Sequence, residues 1–222
     1  MARVIVTGGF GALGDAVVAE LADRGDDVGV IDLAPARQDT RAAHAAGEVD
    51  LTDETAVARA FGAAVTALGG LDGVVNVAGG FVWEPLGDGT IDSWDRMYRI
   101  NLRTAALSSR AALAHLGAGG AIVNVGAAGA VAPGAGMAPY AASKAGVMAL
   151  TESLADEVKP RGIRVNAVLP TILDTPANRR DMPDADTADW VKPAAAARVI
   201  AFLLSPDAGA VTGAGIRLSL AG

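Results

Sequence analysis

The chain has 222 residues, a net charge of −7 at pH 7 and a hydrophobic content of 51% with only 4% aromatic residues, which suits one domain with closely packed helices on a sheet. The acidity, with no basic stripe, argues against nucleic acid as a partner. The lack of cysteine excludes disulfides and thiolate metal sites, and His44 and His115 stand alone and read as surface helix residues, so no metal is expected.

Residues 3–7 are a short β-branched run that reads as a buried strand. It enters Thr7-Gly8-Gly9-Phe10-Gly11-Ala12-Leu13-Gly14, and a helix is expected over 12–24, with Val17, Val18 and Leu21 at helical spacing. Strand, glycine-rich turn and helix is the context in which such glycines let the backbone approach a diphosphate, with free N–H groups at the helix start. An ordinary tight turn has the same spelling. Residues 27–33 read as a second strand containing Asp32, eighteen residues after Gly14. A carboxylate there accepts hydrogen bonds from both adenosine ribose hydroxyls and repels a 2′-phosphate, which favours NAD, as NADH, over NADP. The alternative is an Asp that starts a turn before Pro35. A third strand is expected over 48–51. Asp50 at its end either reaches the adenosine or caps the helix expected over 53–68.

Residues 71–77 form the fourth strand and lead into Asn76-Val77-Ala78-Gly79-Gly80, small enough to admit a flat ligand. Phe81, Val82 and Trp83 follow, either as a substrate wall or as core. One long helix is expected over 91–116; it carries Asn101, whose simplest role is a local hydrogen bond. A fifth strand spans 120–126, a Gly/Pro-rich turn 131–137, and a helix 137–158. That helix carries Tyr140 and Lys144, four residues apart and so on one face, where an ammonium near a phenol lowers the phenol's pKa toward the range of a general acid or base. A surface Lys beside a half-buried Tyr has the same spacing. A sixth strand covers 162–169, a long loop about 171–192, a helix 193–204 and a last strand 216–220. Loops of that length in compact domains tend to be lids or binding loops. In this one, Met182 and Trp190 are candidate substrate contacts, with Trp190 equally readable as a core anchor.

Strands and helices alternate without a repeat, linker or charge block. The expected fold is therefore one α/β domain over 1–222, a doubly wound, Rossmann-type parallel sheet of about seven strands with helices on both faces. The glycine turn, Asp32, residues 76–80, the 126–137 turn and Pro170 then fall together at the carboxyl ends of the strands, where such sheets bind ligands. No leader is read, because Met1-Ala2-Arg3-Val4 runs straight into a strand, and no apolar run has membrane-spanning length. A cytoplasmic protein acting on a small molecule is expected.

Over its whole length the chain resembles the short-chain dehydrogenase/reductase family. The matching pieces are Thr7-Gly8 to Gly14, Asn76-Val77-Ala78-Gly79, Asn101, Tyr140-x-x-x-Lys144, and Gly162-Ile163-Arg164-Val165-Asn166-Ala167-Val168-Leu169-Pro170. The resemblance implies that Tyr140 exchanges the proton, that Lys144 lowers its pKa and holds the nicotinamide ribose, and that Asn101 orders a proton-relay water. It implies a cofactor set of Gly8, Phe10, Gly11, Ala12, Leu13, Gly14, Asp32, Asp50, Leu51, Asn76, Ala78, Gly79, Tyr140, Lys144, Pro170, Thr171 and Leu173. It also implies a homodimer or homotetramer, paired through the helices at about 91–116 and 137–158.

The chain departs from the family at three places. Ala12 stands where a glycine is usual, Thr171 replaces the glycine after Pro170, and Ala127 replaces the serine thirteen residues before the tyrosine. A narrower resemblance, to the NADH-dependent dihydropteridine reductases, covers the missing serine. It rests on Gly8-Gly9-Phe10-Gly11-Ala12-Leu13-Gly14, on Val77-Ala78-Gly79-Gly80 and on residues 168–186 with Trp190. Trp83 is shifted from the aromatic those enzymes carry after the glycine pair. The implied activity is hydride transfer from NADH to a quinonoid dihydropterin or similar electron-poor ring, with Ala127, Trp83, Met182 and Trp190 toward the substrate. A ketoreductase or alcohol dehydrogenase that manages without the serine, and a catalytically silent dinucleotide-binding protein, are the alternatives.

Overall fold

The computed structural model describes residues 1–220. Seven strands form one sheet among the described residues: β1 (Arg3–Thr7), β2 (Asp27–Ile31), β3 (His44–Ala46), β4 (Gly73–Asn76), β5 (Ala121–Val125), β6 (Arg164–Pro170) and β7 (Gly215–Leu218). Their order is β3-β2-β1-β4-β5-β6-β7 and every pairing is parallel. Parallel strands covered on both faces need apolar side chains on both faces, and β4, β5 and β6 are buried at every position. The order reverses between β1 and β4, which opens a crevice at their carboxyl ends.

The described residues contain seven α-helices, α1 (Ala12–Asp23), α2 (Glu54–Leu68), α3 (Ile91–Met97), α4 (Thr104–Leu113), α5 (Ala138–Val158), α6 (Pro176–Asp181) and α7 (Pro193–Leu204), of which α1, α2, α4, α5 and α7 pack on the sheet. Strand side chains alternate between two cores. Val4, Val6, Val28, Val30 and Val75 pack against Val17, Val18 and Leu21 of α1 and Ile200 and Leu203 of α7. Ile5, Ile31, Val74, Ile122 and Val165 pack against Phe61 and Ala64 of α2, Ala112 of α4, and Leu154 and Val158 of α5. The two-residue period of a strand sends neighbours to opposite faces, so β1, β2 and β4 each serve both cores.

Four sequence expectations are corrected. The third strand is His44–Ala46, not 48–51. Gly47 and Glu48 turn the chain there: a Cβ at Gly47 would lie 2.1 Å from the Ala36 nitrogen, and Glu48 has φ 57, which ends an extended run. That puts His44 in a strand rather than on a helix. The helix expected over 91–116 is broken: α3 passes through a π-helical turn, Tyr98–Arg103, into α4, which ends at Leu113. The long loop contains α6, started by Pro176 and capped by the Thr175 hydroxyl, which accepts the Asn178 N–H at 3.2 Å. No helix of the described residues is long and apolar enough to cross a membrane.

Candidate active site

A cleft of about 920 Å³ opens at the carboxyl ends of β1, β2 and β4. Gly8, Phe10, Gly11, Ala12, Leu13 and Gly14 form one wall, with Asp32, Asp50, Leu51, Ala78 and Gly79 beside them. The glycines are needed for shape. A Cβ at Gly8, φ 69, would lie 2.7 Å from the Ala78 nitrogen, and one at Gly14 only 2.1 Å from the Gly8 carbonyl oxygen. Ala12 replaces a family glycine without strain because it is the first residue of α1, with Gly11 as an extended N-cap. No side chain caps α1, so its first-turn N–H groups face the cleft uncommitted, as an anion site requires. Volume and cradle together fit a dinucleotide. Asp32 stands just past β2, one oxygen accepting the Phe10 N–H and the other the Ala34 N–H, both at 2.9 Å. Asp50 accepts the Thr52 N–H and hydroxyl, both at 2.8 Å, and these bonds hold its carboxyl below the usual range.

Asn76, expected to contact the cofactor, is not among the residues that line this cleft. Its amide nitrogen donates to Ser109 Oγ at 3.0 Å and to Asn124 Oδ1 at 2.8 Å, and Asn124 in turn donates to Thr151 Oγ1 at 2.9 Å. The side chain is spent on a buried polar ladder joining α4, β4, β5 and α5. Pro170, Thr171 and Leu173, at and beyond the end of β6, and Tyr140 and Lys144 on α5 likewise fall outside the lining. The Thr171 N–H donates to the Leu218 carbonyl at 2.9 Å, and its backbone is not left-handed, so the position does not require glycine's freedom.

The candidate proton-transfer groups sit on α5. Lys144 is buried and its Nζ donates to the Val125 carbonyl at the end of β5, at 2.7 Å; burial pulls its pKa down to about 8. Tyr140 is half-buried, with the Phe81 ring edge-on at 4.9 Å, and burial pushes its phenol up to about 12. The phenol's pKa is thus raised rather than lowered as expected, with burial as the cause. Ala127, 5% exposed, follows β5 and begins the Ala128–Ala130 turn that packs on α5.

Asn101 lies in the π-helical turn, fully buried. Its Oδ1 accepts the Gly80 N–H at 2.8 Å, while its amide nitrogen donates to the Gly80 carbonyl at 3.1 Å and to Ser143 Oγ at 3.0 Å. Ser143 Oγ donates to the Tyr140 carbonyl at 2.7 Å. The side chain thus ties the strap after β4 to the tyrosine's own turn of helix. A π turn redirects one residue of a helix without ending it, and that aims Asn101 at both partners.

The proposed substrate residues are not gathered as expected. Trp83 is 61% exposed, and its indole N–H donates to the Ala135 carbonyl at 2.9 Å, pinning the strap to the 131–137 turn. Trp190 is 5% exposed and belongs to the core, the anchor reading of the two; beside it Val191 bridges Leu173 and closes the base of the loop. Met182 follows α6, half-buried and outside the cleft lining. The cleft has a second wall that the sequence reading passed over: Arg96, Ile100 and Thr104 from the α3–α4 side, and Thr175, Pro176, Ala177 and Arg180 from the loop. The four-residue spacing of Arg96, Ile100 and Thr104 could have exposed that wall as one helix face.

A family profile described as "Enoyl-(Acyl carrier protein) reductase" matches residues 10–218. Among curated proteins, the chain is similar to the 3beta-hydroxysteroid dehydrogenase 1 of Eggerthella lenta, 35% identical over 217 residues, covering 92% of this chain and 82% of that one. It is 36% identical over 233 residues to a 4-formylbenzenesulfonate dehydrogenase of Comamonas testosteroni, covering 94% of this chain and 92% of that one. Among solved structures, it superposes on a short chain dehydrogenase from Burkholderia cenocepacia in complex with NADP, with a TM-score of 0.85 and 33% identity over 100% of this chain and 97% of that one.

Proposed function

The chain belongs to the short-chain dehydrogenase/reductase family, and from that premise we propose that this oxidoreductase uses NADH to reduce an electron-poor conjugated ring, of which a quinonoid dihydropterin is the type. The observation that carries the proposal is Ala127: a buried methyl stands where a hydroxyl would hold a substrate carbonyl, beside an otherwise complete Tyr140, Lys144 and Asn101 set. In carbonyl reduction, negative charge gathers on one oxygen, and a fixed donor there is worth several kcal/mol. A conjugated ring spreads that charge over several atoms and depends less on one donor. The spelling of residues 168–186 supports the same acceptor class.

The cofactor supplies the hydride. The chain's residues do the rest. Backbone N–H groups at the glycine turn and the start of α1 hold the diphosphate. Asp32 would accept the adenosine ribose hydroxyls and repel a 2′-phosphate, a reading supported by the pairing of the arginines after it, Arg37 with Asp39 and Asp15, Arg41 with Asp23. Lys144, steadied by the Val125 carbonyl, offers its remaining N–H groups to the nicotinamide ribose. Tyr140 carries its proton at neutral pH, as an ordinary phenol does, and burial raises its pKa further, so in the direction of reduction it is the proposed donor. For assembly, we infer a homodimer or homotetramer. Ile91 and Tyr98 are exposed on one helix, and Ala142, Ala145 and Ala149 present a smooth exposed face on α5.

A ketoreductase is the second reading, and the named activities of the relatives favour it. Turnover of NADH with quinonoid dihydropterin and with a panel of simple ketones separates the two. The proposal expects pterin turnover in the wild type and, in Ala127→Ser, a gain confined to ketones. Ready ketone reduction by the wild type with no pterin turnover sinks it.

A further inference from the structure

We propose that Arg96 and Arg180 form a two-guanidinium clamp that closes over the cofactor's diphosphate from the wall opposite the glycine turn. The inference rests on the dinucleotide reading above and extends it to residues outside the glycine motif. Four ionisable side chains line the cleft: Asp32, Asp50, Arg96 and Arg180. The two carboxylates are engaged, each by two N–H or O–H groups. The two guanidiniums have no hydrogen bond or ion pair among the described residues, although the protein is acidic and offers many carboxylates. Arg179, next in sequence, shows the contrast. It is not part of the cleft lining and is held by both oxygens of Asp174. The two adjacent arginines of α6 are thus sorted, one to brace the loop and one to face the cleft.

The charges on the walls decide the ligand. Two uncommitted guanidiniums facing uncommitted backbone N–H groups across one cleft repel each other until an anion lies between them. Guanidinium suits phosphate oxygens because its planar donors form paired, charge-assisted bonds. A diphosphate carries two charges and has oxygens on both sides, so it meets both walls at once. Because Arg180 rides on the loop whose base is closed by Leu173 and Val191, clamping also draws that loop over the cleft.

The test is calorimetric titration of wild type, Arg96→Met and Arg180→Met with NADH, ADP and adenosine at low and high salt, with melting curves as a check of folding. Each variant is expected to weaken NADH and ADP about tenfold, with a shallower salt dependence and unchanged adenosine affinity. Arg→Lys at either position should recover part of the loss. Unchanged NADH and ADP affinity in both Met variants overturns the clamp, as does an equal loss for adenosine, which would signal a structural effect. A raised KM for the acceptor at constant NADH affinity would assign the guanidiniums to substrate and overturn it too. Wild-type protein that binds no dinucleotide would sink the cofactor reading, and the clamp with it; wild-type binding with indifferent variants sinks the clamp alone.

Discussion

At the end of the cleft proposed for the ribose, Asp32 stands half-exposed and is oriented by backbone N–H groups of the turn after β1 and of its own turn. At the proposed catalytic centre, next to Gly79 but behind the cleft lining, Lys144 is buried against the Val125 carbonyl, and Asn101 joins Gly80 to Ser143, 21 and 42 residues away. The first region is backbone geometry with one side chain added. The second is a set of buried side chains whose positions depend on three separate segments and whose proton affinities are set by burial. Binding and proton transfer are therefore expected to fail separately, and for different reasons.

The largest effect expected from that division is at the proton donor. Tyr140→Phe should lower turnover by about 10²- to 10⁴-fold while the NADH dissociation constant, read by fluorescence titration, stays put. A parallel loss of binding would break the division. Lys144 gives a second test, in stability. Its folded pKa of about 8 lies below the ordinary 10.5, so between those values the unfolded chain binds more protons than the folded one, and stability rises with pH across that window. Lys144→Met should abolish the rise and stabilise the protein at pH 7 by roughly 1–2 kcal/mol in urea melts, while removing activity. A melt with no pH dependence between 8 and 10 in the wild type would contradict the burial described here.

The ribose end should respond more mildly. Asp32→Ser should narrow the preference for NADH over NADPH about tenfold without changing turnover at saturating NADH. Equal affinity of the wild type for the two cofactors would remove the basis of this prediction. The smallest effect is expected beside the adenosine pocket, where Glu48 holds φ 57. Glu48→Gly should relieve that conformation and stabilise the fold by about 0.5–1 kcal/mol, leaving kinetics alone. Destabilisation instead would show that the Glu48 side chain matters more than its backbone.

The sequence by itself determined the strand–turn–helix units, because their signals are local: β-branched runs, glycine-rich turns and helical spacing, although the cap of α2 is Asp53, which accepts the Thr55 and Ala56 N–H groups, and not Asp50. From those units the parallel sheet, its switch point and the glycine wall of the cleft follow. Tertiary structure alone decided which side chains reach the cleft. Asn76 has the right position at the end of β4, yet partners on α4 and β5 take it inward. Trp190 reads equally as substrate contact or anchor until the loop's base closes beside it. Arg96 and Arg180, 84 positions apart, are ordinary surface arginines in the sequence and share a cleft only once α3 and the loop are folded. Burial decided the proton affinities as well. A spacing of four places Tyr140 and Lys144 on one face, but how much water each loses depends on every element packed around α5, and no local pattern records that.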